Sequence, residues 1–461
     1  MEKWDAIIVG SGLGALVSGA LLAKGGKKVI LLESRSNIGG RATTRDVQGF
    51  KIDYGVHLMT VGHLQTVLEK INAKIDFVYT DAPTYIYHNN KFTGIPNRLA
   101  DYHNFEYVPA AERDDLIGLL EEVKSMPFED IEDYDFMSLK DWMDIKVTSE
   151  AIRSFISLIS NAFLSTENEV DMSAGAALRC IRRAFRNDGP WFGYPKVGGF
   201  NTIGLTLAET ITRNGGQIQT GVLVREIFIN DGIVTGIAAE SPDGLLRLEA
   251  PIVISNVPLV NIFKLVPTDV FPRWFVERVH FLQRCLYHSS SSSVGLSFIS
   301  TKPLYNLKSI AAIPAFSPVN RAGPSCVRWI YHPTNLTPSI APPDRHIFGY
   351  GTIVSRDYAD FLKDNKPILV KEIKALEEEL WQLFPDFDRS SILQPRSGLV
   401  PVTDTSLQFP GNSWRQRLDV KAPAVAGLYL VGDMMRGWGD GTDLAIHTGL
   451  LCAERVLKGK P

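Results

Sequence analysis

The 461-residue sequence predicts an α/β protein whose parallel sheet is assembled from three separated stretches, with two mixed blocks of strands and helices inserted between them. Three observations predict this. DAIIVG runs into a glycine turn, a helix-like GALVSGALLAKGG and a second strand, KKVILLE, which is the order of a βαβ unit. YPKVGGFNTIGLTLAETITRNGG (194–216) carries helical apolar spacing, stops at a glycine pair and leads into β-rich sequence ending in APIVISN. GLYLVGDMMRGWGDGTDLAIHTGLLCAERVL (427–457) again reads as buried strand, glycine turn and helix.

The predicted outline follows. Residues 1–75, 191–260 and 401–461 form one discontinuous domain, and 76–190 with 261–400 form the other. In the first inserted block, TYIYHNNKFTGIP reads as a hairpin, and AERDDLIGLLEEVKSM and TSEAIRSFISLISNAFL as amphipathic helices. SLKD (138–141) has the form of a capping box. The acidic run FEDIEDYD (128–135) and the arginines of LRCIRRAFRN (Arg179, Arg182, Arg183, Arg186) are expected to be solvated, the arginines alternatively meeting an acidic substrate headgroup. The second block holds strand candidates such as SVGLSFIS and HIFGYGTIVS, the amphipathic KPILVKEIKALEEELWQLF, and a serine run (289–293) read as a strand entrance.

Composition narrows the function. A chain 45% hydrophobic and 21% charged is an ordinary globular protein, and a net charge of -3 without a basic tail argues against nucleic acid. The 4 cysteines are scattered without a C-x-x-C pair, which disfavours metal and dithiol chemistry and fits reduced thiols in the cytoplasm. No secretory leader and no span of ~20 apolar residues is evident, so a soluble protein is expected, with peripheral membrane contact left open.

Gly10-Ser-Gly12-Leu-Gly14-Ala15 fits G-x-G-x-x-G/A. Gly10 permits the tight turn, Gly12 lets backbone approach a pyrophosphate, and Ala15 allows close helix packing. The following helix start offers amides and partial positive charge to phosphates. Glu33 ends the next strand, where a carboxylate can accept ribose hydroxyls and repel a 2′-phosphate. Strand, turn, helix, strand and acid in this order imply an adenine dinucleotide, NAD or FAD.

LLESRSNIGGR (31–41) separates the two. It is similar to the E-x-R-x-x-x-G-G-R pattern of the amine oxidase and phytoene desaturase superfamily, in which the cofactor is FAD. The resemblance implies a Rossmann-type FAD-binding domain with an inserted α+β substrate domain of mixed sheet plus helices. It implies that Glu33 holds the adenosine ribose, Arg35 packs near the adenine, Gly39-Gly40 approach the pyrophosphate, and Arg41 sits beside phosphate and flavin. VLVREI (222–227) resembles the strand whose valine, here Val224, meets adenine through main-chain atoms. Gly432 and Asp433 match the segment that meets the ribityl chain, and the amides of Thr442, Asp443 and Leu444 would face the flavin N1–C2=O edge.

GFKIDYGVHLMTVG (49–62) resembles the D-x-G-[IV]-H form of retinol saturase and carotenoid isomerase-like members. Asp53 and Gly55 would shape a loop beneath the flavin, Val56 would contact it, and His57 would face the reacting side. Trp438 would form an apolar wall there, or one half of an amine-aligning aromatic cage whose second member is not evident. His57 and Trp438 are thus the candidate catalytic residues. His447 reads as a packing or capping residue. The activity implied is oxidoreduction of a carbon–carbon bond (desaturation, saturation or isomerisation) in a small, largely apolar, unsaturated molecule. A flavin amine oxidase acting on CH–NH and a redox-inactive isoprenoid carrier of the Rab GDP-dissociation inhibitor type are the alternatives; oligomeric state is not readable.

Overall fold

In the computed structural model, which describes residues 3–55, 59–80, 82, 84–164, 170–186, 192–289, 292–309, 311–314, 328–400 and 405–459, the chain is built around two large sheets. The first is parallel and five-stranded, in the order Gln217–Thr220, Val29–Glu33, Ala6–Val9, Val253–Ser255 and Leu428–Leu430. All three separated stretches of sequence therefore supply strands to one sheet. Its central strands are continuous apolar runs, buried on both faces, as parallel sheets require.

Helix Leu13–Lys24 is apolar all round, and Leu13 to Ala23 are buried. It lies between the sheet and two other helices, Asn201–Arg213 and the closing Gly441–Leu457. The closing helix crosses it tightly. A Cβ on Gly449 would overlap the Gly14 carbonyl, and one on Gly14 would lie 3.0 Å from the Ala445 carbonyl. Gly14 therefore serves a helix crossing as well as a turn.

The second sheet has seven strands, in the order Ile392–Val400, Ser292–Ser300, His346–Val354, Arg328–Tyr331, Ala311–Pro314, Tyr85–His88 and Lys91–Gly94. The last two are the expected hairpin. Asn89 and Asn90 take φ of 50° and 57°, the left-handed pair that a two-residue hairpin turn needs. The hairpin thus completes a sheet whose other strands come from the second inserted block. Phe298, Phe348 and Tyr350 on one face pack beneath helix Lys366–Leu383 through Leu380 and Trp381. The opposite face looks toward the parallel sheet.

Helices Arg113–Ser125, Leu139–Lys146, Glu150–Leu164 and Ala174–Arg186 enclose a third core that includes Tyr102, Phe105, Trp142 and Phe155. Ser138 caps its helix as expected, its hydroxyl accepting the Asp141 amide at 3.0 Å. Two surface expectations fail here. FEDIEDYD is not a solvated loop: it forms helix Phe128–Glu132 and a short 3-10 turn, and Asp135 is fully buried. Arg179 is buried with it in a bidentate ion pair at 2.6 and 2.8 Å. Arg182 donates to the Met126 carbonyl at 2.8 Å, and Arg183 turns toward the closing helix. Charge periodicity identified a polar face, but its partners lie far away in sequence.

Candidate functional site

A cavity of about 1220 Å³ separates the two sheets. It is larger than the ~300–1,000 Å³ of ordinary ligand pockets, with room for a large group and a second molecule. Its floor lies at the carboxyl ends of the parallel strands, where open α/β sheets bind ligands.

The glycine turn forms one wall. Gly10 has φ +90°, and helix Leu13–Lys24 starts at Gly12 without a side-chain cap, leaving its first-turn amides to face the cavity mouth. Gly39 donates its amide to the Ser11 carbonyl at 3.0 Å, so the second glycine loop rests on the first. A Cβ on Gly40 would come within 3.2 Å of Gly12 Cα, and one on Gly12 would overlap the Asn256 side chain. This cradle of bare backbone fits a pyrophosphate, and side chains would fill it.

Glu33 is buried beside the turn. Its carboxylate accepts the Ser11 amide and hydroxyl at 2.9 and 2.5 Å, and the Arg35 amide and Ser34 hydroxyl at 2.8 and 3.2 Å. The two hydroxyls can rotate away and release lone pairs to ribose hydroxyls. Arg41 and Asp433, expected to serve separate parts of a cofactor, meet one another: a guanidinium nitrogen lies 2.9 Å from both carboxylate oxygens. Thr405 adds its hydroxyl to Asp433 at 2.6 Å.

The closing helix carries a charged cluster. Asp443, 1% exposed, pairs with Arg183 and accepts the His63 amide at 3.1 Å. An acid in a helix's first turn also complements its dipole. A side chain at Gly62 would collide with the Arg183 guanidinium, so that glycine makes room for the pair. His63 stacks on His447 with ring centres 4.3 Å apart. Burial holds both imidazoles below their ordinary range, His447 at about 3, so both are neutral at pH 7. His447 Nδ1 accepts the Trp438 amide at 3.0 Å, fixing the turn that presents the indole; it is the packing residue expected.

Asp53 lines the cavity and is 9% exposed. It accepts hydroxyls from Thr44 at 2.6 Å, Tyr331 at 2.6 Å and Tyr194 at 2.9 Å. Burial raises its carboxyl to about 6, and those three hydrogen bonds oppose the rise.

Of the predicted residues, Gly10, Gly12, Glu33, Arg35, Gly39, Gly40, Arg41, Gly432, Asp433, Trp438, Thr442 and Asp443 line this cavity. Gly14, Ala15 and Leu444 lie behind its wall in packing roles. Val224 is not among the lining residues; its side chain is in the core against the antiparallel sheet of Leu223–Asn230, Ile233–Ser241 and Gly244–Glu249. The chain just before it does reach the site, since Gly221 and Val222 donate their amides to the Arg35 and Glu33 carbonyls at 3.0 and 2.9 Å. Val56 and His57 lie outside the described residues.

Sequence reasoning missed Ser11, Asn256, Thr405 and Tyr331, all of which line the cavity or hold its acids. Asn256 had a usable signal, as the polar residue ending the strand APIVIS. Tyr331 had none, because its partner Asp53 is remote; Arg183, expected to be solvated or to meet an acidic headgroup, is paired with Asp443.

Turn, cradle, ribose-side acid and closing helix together define a dinucleotide-dependent flavoprotein fold. A sequence profile of the flavin containing amine oxidoreductase family matches residues 16–457. The chain belongs to that family, and its cofactor is FAD. It is 25% identical over 353 residues to the all-trans-retinol 13,14-reductase of Danio rerio, covering 67% of this chain and 56% of that protein. It is 23% identical to the chloroplastic prolycopene isomerase of Daucus carota over 515 aligned positions, covering 99% and 80%. The chain spans about half the length of the retinol reductases it matches. The solved structure of an oxidoreductase from Methanosarcina mazei shares the fold, with a TM-score of 0.76 and 21% identity over 97% of this chain and 99% of that one. Among the described residues, no helix is long and apolar enough to cross a membrane.

Proposed function

We propose that this chain is an FAD-dependent oxidoreductase acting on a carbon–carbon bond of an unsaturated, largely apolar molecule, by desaturation, saturation or isomerisation. One observation carries the reading. The acids lining the cavity (Glu33, Asp53, Asp433, Asp440 and Asp443) are each engaged by protein donors, Asp440 through Ser406 and Gln408 at 3.0 Å. Among the described residues no lining acid is left without a donor to meet an ammonium group, which favours an apolar substrate over an amine. The names of the retinol reductase and prolycopene isomerase relatives point the same way.

In this reading residues 1–75, 191–260 and 401–461 hold the cofactor, and 76–190 with 261–400 receive the substrate. The glycine cradle and the first helix start would hold the pyrophosphate, Glu33 the ribose and Asp433 the ribityl chain. Val224 would contribute main-chain atoms at the adenine. When bound, FAD supplies the hydride acceptor or donor. The chain's own residues position the substrate and exclude water. Trp438 forms an apolar wall, held by His447, and His57 is the proposed side chain at the reacting face. The Thr442 amide at the start of the closing helix would favour negative charge at its end of the cavity, whereas the Asp443 and Leu444 amides donate to the Asp440 carbonyl at 2.9 and 3.2 Å.

Anaerobic spectroscopy of the purified protein tests this. A yellow preparation whose flavin band responds to polyenes or enoyl compounds, and not to primary amines, is expected. Bleaching by amines alone would make it an amine oxidase. A colourless protein that cannot be reconstituted with FAD would make it a carrier.

A further inference from the structure

The cavity-facing side of the seven-stranded sheet is stripped of side chains along a line that crosses three strands. Gly398 pairs with Gly295, Gly295 with Gly351, and Gly351 with Trp329, each in direct register. The next row on the same face is Arg396, Ser297, Gly349 and Tyr331. All eight residues line the cavity. Side-chain alternation explains the orientation: Val294, Leu296, Phe348 and Tyr350 point to the helix-covered core, so their neighbours point the other way.

Glycine inside a strand weakens the strand and marks a bulge, a bend or the close approach of another group. None of these glycines has the left-handed backbone that would demand it. For Gly295 and Gly351 the sheet itself is a sufficient reason, since added Cβ atoms would lie 3.0 and 2.8 Å from the Tyr350 and Val294 carbonyls. Gly398 has no such reason. It is on the exposed edge strand, and among the described residues a Cβ there meets nothing within 4 Å. What its missing side chain keeps clear is cavity.

We propose that this strip is the bed on which an extended, planar, conjugated chain lies, entering over the edge at Gly398 and ending against Trp329 and Tyr331. The substrate class rests on the function proposed above; the bed is a separate claim. At ~4.8 Å per strand, the run from Gly398 to Trp329 is about 14 Å long. Ile353 bounds it on one side, and Ile299 and Ile347 on the other. The cofactor-holding residues all come from the opposite wall, so the strip is left to the second molecule. A rigid planar chain loses little conformational freedom on lying against bare backbone, whereas a saturated chain would lose far more.

The test is binding of all-trans-retinol to the FAD-loaded protein, read by energy transfer from tryptophan fluorescence, in the wild type, Gly398→Ala and Gly398→Leu. The edge position and open space let both variants fold. Flavin content and thermal melting should match the wild type. Gly398→Leu is expected to weaken binding at least tenfold, and Gly398→Ala less. Unchanged affinity in Gly398→Leu, or no binding by the wild type, would overturn the bed. Wild-type binding that Gly398→Leu weakens, with a flavin that never exchanges electrons with any polyene, would support the bed and sink the oxidoreductase reading alone.

Discussion

Arg41 and Asp433, 392 residues apart in sequence, share an ion pair inside the cavity, one guanidinium nitrogen lying 2.9 Å from both carboxylate oxygens. The pair ties the chain after strand Val29–Glu33 to the chain after strand Leu428–Leu430 of the same parallel sheet. Asp433 is almost fully buried, while the Arg41 side chain keeps 35% exposure. Arg41→Met should therefore destabilise the cofactor-free protein by about 1–3 kcal/mol, because among the described residues the buried acid then keeps Thr405 alone as a donor, through its hydroxyl and amide. A denaturant double-mutant cycle with Asp433→Asn should show coupling between the two positions. Additive losses would mean the pair contributes nothing.

Glu33 joins the glycine turn to the second strand through Ser11, and it is the proposed ribose acceptor. Glu33→Ala is expected to lower the flavin-to-protein absorbance ratio of the purified protein several-fold. Full flavin content in that variant would place the ribose contact elsewhere.

Asp53 predicts a pH dependence of stability. Its carboxyl rises from an ordinary 3.8 to about 6 on folding, because burial disfavours the charge. The native state therefore holds a proton that the unfolded chain has released, and stability falls as pH rises from about 4 to about 6, then levels. A shift of this size corresponds to roughly 3 kcal/mol at most. Thermal melting of Asp53→Asn should lack this component. The wild-type minus variant difference should decline across that interval, and a flat difference would show that Asp53 titrates normally.

Arg179 and Asp135 make a buried bidentate pair at 2.6 and 2.8 Å. Arg179→Met would leave a fully buried carboxylate without its counter-charge, at a cost of about 3–5 kcal/mol in chemical denaturation. Had the arginine been solvated, as its helical spacing suggested, the substitution would cost under ~1 kcal/mol.

Much of this was legible in the order of residues. Alternating and continuous apolar runs located the strands, and Asn89-Asn90 the hairpin. What failed was judgement about charge. Asp135 and Arg179 each read as surface residues, because a charged side chain is exposed unless a partner is buried with it, and that partner lies 44 positions away.

By itself the sequence determined what depends on neighbours along the chain: the βαβ unit, the glycine turn, the acid at the strand end, and through them the flavin family. Those features arise from backbone torsion and from periods of two and 3.6 residues, which a linear string displays. Only the tertiary structure decided which charges meet, as in Arg41–Asp433 and Arg183–Asp443, and that Gly398, Gly295 and Gly351 fall into one line. Register between strands is set by the packing of whole faces, and no local pattern encodes it.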